Sequence, residues 1–105
     1  MNYRQAKVRA EILKAMAHPV RVLIVETLLG GDRCGRELNR LARINQSNIS
    51  RHLAVLKKAG IVSDRRTATR VYYHLETPCI LKSLDCAADV VRADTRRRHD
   101  YLKVV

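Results

Sequence analysis

The stretch Glu37–Leu75, ELNRLARINQSNISRHLAVLKKAGIVSDRRTATRVYYHL, decides the fold. It reads as helix, turn, helix, strand, basic turn, strand. Stepping 100° per residue, Ile49, Leu53 and Leu56 fall on one apolar side of its second helix. Ser47, Arg51, Ala54 and Lys58 fall opposite, with Asn48 and Ser50 beside them. An apolar stripe is enough to dock a helix, so the polar face is left for another task. Its small hydrogen-bonding groups and cations suit base edges and phosphates in a major groove. His52 lies about 60° from the apolar stripe, where packing, phosphate bonding and base reading all stay open.

The helix before it buries Leu38, Leu41 and Ala42, and Arg43-Ile44-Asn45 forms the turn. Asn45 is the expected N-cap of the second helix, which runs to about Ala59 and closes at Gly60. Beyond it Val71, Tyr73 and Leu75 alternate with Arg70, Tyr72 and His74, as in a half-buried strand. The preceding turn, Arg65-Arg66-Thr67-Ala68-Thr69-Arg70, carries three arginines in six residues. A hairpin tip so charged is a wing for a phosphate backbone or a minor groove. A solvated edge hairpin that uses charge against aggregation is the plain alternative. The fold class expected is mainly α with a small β-hairpin, a winged helix-turn-helix ordered α1-α2-α3-α4-β1-β2-α5, with residues 1–105 as one domain.

Working outward, residues 3–16 suggest a first helix with two stripes: Val8, Ile12 and Met16, then Ala6, Ala10 and Leu13. Two stripes on a short helix suggest two contacts, one to its own core and one to a partner. Pro19 opens a second helix, where its missing N–H is harmless, and His18 reads as a cap. Val20, Leu23, Ile24 and Leu28 form its core stripe, Gly30-Gly31 ends it, and Asp32 and Arg33 follow as turn residues. Thr77-Pro78 starts a last helix towards Lys103, with Thr77 as N-cap and Pro78 in the first turn. Its stripe of Ile80, Leu84, Ala87 and Val91, widened by Leu81, Ala88 and Val90, exceeds what a small domain needs to cover. Dimerisation through the first and last helices is expected, with Ile12, Leu13, Ile80, Leu84, Ala87 and Val91 at the interface. Arg96-Arg97-Arg98 complements the dipole at the C-terminal end of the last helix. His74 is an outward strand residue with no assigned role.

Composition narrows the function. The 105 residues carry a net charge of +11, which calls for an anionic partner, nucleic acid first. Four Tyr with no Trp or Phe make a thin core, which also favours a dimer. No run of about 18 apolar residues and no leader pattern is visible, so a cytoplasmic chain without membrane partner is expected. No Ser/His/Asp set, paired-carboxylate site or phosphate loop suggests an enzyme. A winged helix used only for protein contacts would not keep Arg51, Lys57, Lys58 and the wing arginines. RNA binding would call for stacking aromatics on an exposed sheet, and only Tyr72 and Tyr73 could serve.

Three segments together resemble the ArsR/SmtB family of bacterial metal-responsive repressors: AMAHPVRVLIVETL, ELNRLARINQSNISRHLAVLKKAGIV and RRTATRVYYHL. The resemblance is close over residues 12–75 and positional in the end helices. It implies a homodimer on double-stranded DNA, at an operator with two-fold symmetry, released when an inducer binds. By position it implies DNA contacts from Gln46, Ser47, Asn48, Ser50, Arg51 and His52, and from Arg65, Arg66 and Arg70 of the wing. Ala68 stands where the family commonly has Gly, and Ala accepts positive φ poorly, so a different wing turn is expected.

The family's sensor sites vary. A common last-helix pattern, Asp-x-His…His-x-x-His/Glu, is absent: aligning His99 with its second histidine puts Ala88 and Leu102 at other ligand positions. Cys34 falls where arsenic, cadmium and lead sensors begin a Leu-Cys-x-Cys-Asp-Leu motif, but the second Cys is Arg36 here. The candidate thiols are therefore Cys34, Cys79 and Cys86. Cys79 and Cys86 are about 10 Å apart along an unbroken helix. Two thiolates on one ion sit only about 4 Å apart, so these two cannot share an ion. A three-sulfur site would need a frayed helix start or a thiol from the other subunit, so Cys34 with one of the two is the simpler pair. Thiolates without imidazole select arsenite, antimonite and soft ions such as Cd, Pb or Cu(I) as inducer. A redox or reactive-sulfur switch through a Cys pair is the alternative. Members of that kind place a Cys within the second helix, where this chain has Val22-Leu23-Ile24-Val25. Buried Cys acting only as a small hydrophobe remains the plain reading of each.

Overall fold

The computed structural model describes residues 1–41 and 48–104, the side chains of 95–104 excepted. In chain order the described elements are α1 (Tyr3–Met16), α2 (Pro19–Leu29), β1 (Arg33–Cys34), α3 (Gly35–Leu38), α4 (Ile49–Lys58), β2 (Val62–Thr67), β3 (Arg70–Leu75) and α5 (Cys79–Val104). The expected winged helix-turn-helix order is present. One addition is β1, which pairs antiparallel with β3 (Arg33 opposite Tyr73, Cys34 opposite Tyr72), so the sheet runs β1-β3-β2. Arg33, expected in a turn, is therefore a strand residue. A two-residue strand has no periodicity to show; only its partner in β3 creates it.

The core is built from the predicted stripes. Met16 of α1, Val20, Ile24, Val25 and Leu28 of α2, Leu38 of α3, and Ile49, Leu53 and Leu56 of α4 pack on Ile61, Val62 and Leu75 of the hairpin. Ile24, Leu38, Leu56 and Ile61 are wholly enclosed. At about 25 cal/mol per Å² of apolar surface, burying one such side chain contributes about 1.5–3 kcal/mol. Helix ends carry the expected punctuation. His18 caps α2 through its side chain, which accepts from the Val20 amide at 3.1 Å, and Pro19 follows it. Asn2, on which no expectation rested, forms a reciprocal capping box with Gln5.

The last helix begins later than expected. Thr77 was the expected N-cap, yet α5 starts at Cys79, and the buried Thr77 hydroxyl has no hydrogen-bond partner among the described residues. The Thr77 carbonyl accepts from Ile80 N instead, so Pro78 lies in a turn before the helix. Twenty-six residues at 1.5 Å each carry α5 about 39 Å. Its first turns dock Ile80, Leu81 and Leu84 on the core, and the rest projects. That projection explains a radius of gyration of 17.0 Å, where a compact chain of this length has about 13 Å. Six side chains were expected between subunits. Ile12, Ile80 and Leu84 are partly buried against their own chain's core, whereas Leu13, Ala87 and Val91 are exposed. No helix among the described residues is long and apolar enough to cross a membrane.

Candidate nucleic-acid interface

The α4 helix is held at both ends by its own sequence. Its N-cap is Asn48, not Asn45: the Asn48 side-chain oxygen accepts from the Arg51 amide at 3.2 Å. The helix runs Ile49–Lys58, three residues shorter at its start than an Asn45 cap would give. Asn45 itself and the turn before it lie outside the described residues, as do Gln46 and Ser47. At the other end Gly60 adopts φ +80°, the left-handed conformation that ends helices. Gly60 N then donates to Lys57 O and Ile61 N to Leu56 O, both at 3.0 Å, which satisfies two end carbonyls.

With Ile49, Leu53 and Leu56 buried, α4 turns Asn48, Ser50, Arg51, Ala54, Lys57 and Lys58 to solvent. Asn48 is exposed, but its oxygen is engaged by the cap, so its NH₂ is what remains to offer a base. His52 is the correction. It stood among the DNA-contact residues, yet it is only 7% exposed and faces inward. Its Nδ1 accepts from Arg21 Nε at 3.1 Å, and its ring lies 4.3 Å from that of His18, tilted by 42°. The packing alternative is the one the geometry realises. Arg21, which no sequence pattern singled out, also donates through NH1 to Ala15 O at 3.3 Å. It thereby ties α1 and α2 to the recognition helix. Burial holds the His52 pKa below its ordinary 6.5, and the positive charge of neighbouring His18, Arg21 and Arg51 acts the same way.

The wing follows directly. Strands β2 and β3 pair from Val62–Leu75 to Thr67–Arg70, leaving Ala68 and Thr69 as a two-residue loop. Ala68 takes φ +52° and Thr69 does not take positive φ, the pattern of a type II′ hairpin turn, which favours Gly first. Ala68 thus holds a positive φ despite its Cβ. Arg65, Arg66 and Arg70 are all exposed, and the Arg65 guanidinium lies 5.9 Å from the Tyr72 ring centroid. The wing is braced at its base. Lys57 Nζ on α4 meets Asp64 Oδ2 on β2 at 2.9 Å, and Ser63 Oγ donates to Glu76 Oε1 at 2.7 Å. His74 is not idle either. Its Nδ1 lies 2.7 Å from Asp32 Oδ1, joining β3 to the end of the α2–β1 loop. That hydrogen bond raises the His74 pKa above 6.5, with the Asp32 charge adding to it.

The three thiols are not gathered. Cys34 is buried at the end of β1, while Cys79 and Cys86 are exposed on α5. Cys34 Sγ lies 3.3 Å from Glu37 Oε1, and the Cys34 amide donates to the same oxygen at 3.3 Å. The thiol hydrogen bond, then the amide one, hold the Glu37 carboxyl below its ordinary 4.5. Among the described residues no three His, Cys, Asp or Glu side chains come together as a metal site. Among the described residues Cys34 has one carboxylate, Glu37, beside its sulfur.

A recognition helix with a cationic outer face, followed at once by an arginine-tipped hairpin braced to it, defines a winged helix-turn-helix DNA-binding protein. Comparison with known proteins agrees. The family described as "Bacterial regulatory protein, arsR family" matches residues 18–64. Nodulation protein NolR of Rhizobium meliloti is 33% identical over 94 residues, covering 90% of this chain and 77% of that protein. The crystal structure of M. tuberculosis Rv0081 superposes with a TM-score of 0.69 at 36% identity, covering 90% of this chain and 97% of that one. The solution structure of the homodimeric winged helix-turn-helix DNA-binding domain of Mb0332 from Mycobacterium bovis gives 0.62 at 30% identity, covering 94% and 93%. The chain belongs to the ArsR family of bacterial regulatory proteins, and it is a DNA-binding transcription regulator, not an enzyme.

Proposed function

We propose that this chain is a cytoplasmic, homodimeric repressor that leaves a two-fold symmetric operator when a thiol-directed inducer binds at Cys34. A soft metal(loid) is the inducer class this reading names: arsenite, or Cd, Pb or Cu(I). The observation that carries it is the position of Cys34. It sits opposite Tyr72 of the wing strand in the β1–β3 register, and it stands at the N-cap of α3. A group added at this sulfur bears on wing and helix-turn-helix together. Soft ions suit a thiolate with a carboxylate neighbour and no imidazole. Further donors come, in this reading, from Cys79 or Cys86 of a second copy. The homodimer is supported by apolar surface on the two end helices: Val8 and Leu13 on α1 are 54% and 62% exposed, and Val90 on α5 is 62% exposed. It is supported also by the homodimeric Mb0332 domain. DNA contacts are assigned to Asn48, Ser50 and Arg51 of α4 and to Arg65, Arg66 and Arg70 of the wing, with Gln46 and Ser47 leading into the helix.

Fluorescence anisotropy on DNA from upstream of the gene tests the reading. Reduced protein should bind saturably and be released by arsenite or cadmium, whereas Cys34→Ser should bind equally and resist release. Release by a disulfide-forming oxidant alone would replace metalloid sensing by a redox switch through a Cys pair. Normal release of Cys34→Ser by arsenite would make Cys34 a packing residue.

A further inference from the structure

Beside Cys34 lies a cavity of about 720 Å³ lined by Cys34, Arg36, Glu37, Asn39, Arg40 and Arg70. We propose that it seats a phosphate of the DNA backbone, held by Arg36 and Arg40 from the helix-turn-helix and Arg70 from the wing. The proposal rests on the DNA-binding reading and adds two residues to it that no sequence pattern marked.

Three guanidiniums line this cavity against one carboxylate. Glu37 offsets only part of this charge, through its attraction to Arg40. Its Oε1 is taken by the amide and thiol of Cys34, and its Oε2 lies 3.8 Å from Arg33, outside the lining. Among the described residues Arg36, Arg40 and Arg70 have no ion-pair partner within 4.0 Å, and all three are exposed. Three like charges beside one partly engaged carboxylate still repel, and an anion between them lowers that cost. The rigid fork of each guanidinium matches phosphate oxygens two at a time, and Asn39 adds an amide donor. The location fits as well. The first helix of a helix-turn-helix crosses the sugar-phosphate backbone while the second enters the groove. Arg36 lies in α3 and Arg40 two residues beyond its end, and both line the same cavity. Arg70 opens β3 at the base of the wing loop. The seat thus joins the two DNA-facing parts, and the Cys34 sulfur forms part of its wall. An adduct on that sulfur competes with the phosphate for one space, which gives the inducer a direct route to DNA release.

The test is the salt dependence of binding to a random-sequence duplex, with full-length protein and all variants confirmed folded by circular dichroism. Each lost phosphate contact flattens the slope of log K against log salt by about 0.9. The double variant Arg36→Ala/Arg40→Ala should lose about one such step, and Arg40→Lys should keep the slope. Arg92→Ala on α5 is the charge control and should leave it unchanged. A wild-type slope in the double variant, with Arg66→Ala flattened, would overturn the seat while leaving DNA binding intact. An equal change in Arg92→Ala would reduce the effect to net charge and also overturn it. Inorganic phosphate at constant ionic strength separates the other source. Saturable binding of millimolar phosphate to wild type, lost in the double variant while the salt slope of DNA binding stays at the wild-type value, would mean a free-anion site and not a DNA contact. No saturable binding of wild type to any duplex would overturn the seat together with the DNA-binding reading.

Discussion

Replacing His52 separates a residue that packs from one that reads DNA. Its side chain is 7% exposed, accepts from Arg21, and rests on His18. His52→Ala removes a buried ring, and large-to-small core changes cost about 2–5 kcal/mol. It also strands the half-buried Arg21 Nε, which costs about 1 kcal/mol because water can reach part of it. A total of about 3–6 kcal/mol is a large share of the 5–15 kcal/mol typical of a domain, and at about 4 °C per kcal/mol it lowers Tm by about 12–24 °C. His52→Asn keeps an acceptor near the Nδ1 position and loses only the ring contact, so about 1–2 kcal/mol is expected. Urea unfolding at fixed protein concentration measures both, and an unchanged m-value keeps the comparison valid. Anisotropy at 15 °C, where His52→Asn is folded, then tests the DNA side. Packing predicts near wild-type operator affinity; base reading predicts a loss of about 1–3 kcal/mol. An unshifted urea midpoint for His52→Ala would refute the packing account, as would a fully folded His52→Asn with that affinity loss. The pH profile carries the same sign. With its folded pKa below 6.5, His52 contributes stability that is complete above about pH 6.5. That stability drains as pH falls below 6.5, because the unfolded chain takes the proton first.

Three further perturbations follow from particular atoms. Ala68→Gly relieves a residue at φ +52° worth about 1–2 kcal/mol and costs about 0.4–1 kcal/mol in unfolded-chain entropy. The net is a gain of about 0.5–1 kcal/mol, seen as a higher Tm; a lower one would contradict the strain. His74 has its pKa raised by Asp32, so the stability it adds is complete below pH 6.5 and is lost as pH rises through the elevated value. In Asp32→Asn its NMR titration midpoint should fall towards 6.5, and an unmoved midpoint would remove the pairing from solution. Thr77→Val replaces an unpartnered buried hydroxyl by an isosteric methyl, so stability should hold or rise by about 1 kcal/mol. A loss above 1 kcal/mol in thermal unfolding would mean that the hydroxyl is bonded after all.

Features with local causes were legible in the chain, and features made by distant contacts were not. The α4 stripe, the Gly60 stop, the His18-Pro19 start and the β3 alternation each follow from neighbours within a few residues. The start of α4 at Asn48 was missed because Asn45 and Asn48 are equally good caps by type. The strand β1 was missed because its two residues become a strand only against β3. The His74–Asp32 pair spans 42 positions, and the Arg21–His52 bond spans 31. No periodicity reaches that far. At 60° from the stripe, His52 sat on the boundary between faces, and Arg21 on α2 decided which side it took.

The placement of the carboxylates shows how a chain with a charge of +11 keeps its cations on one task. A basic surface could be silenced by pairing each arginine with an acid, and exposed pairs of that kind are easily formed but worth little. Here the acids near the DNA-binding face pair with something else. Asp64 takes Lys57 across α4 and β2, Asp32 takes His74, Glu76 takes Ser63, and Glu37 takes the thiol and amide of Cys34. The Lys57–Asp64 contact fastens the wing to α4, the His74–Asp32 contact joins β3 to the α2–β1 loop, and the other two are local to the hairpin and to the start of α3. Arg51, Arg65, Arg66 and Arg70 are left with no ion pair among the described residues. The arrangement serves binding twice, since braces fix the angle between wing and recognition helix while uncompensated guanidiniums keep the field that draws phosphate.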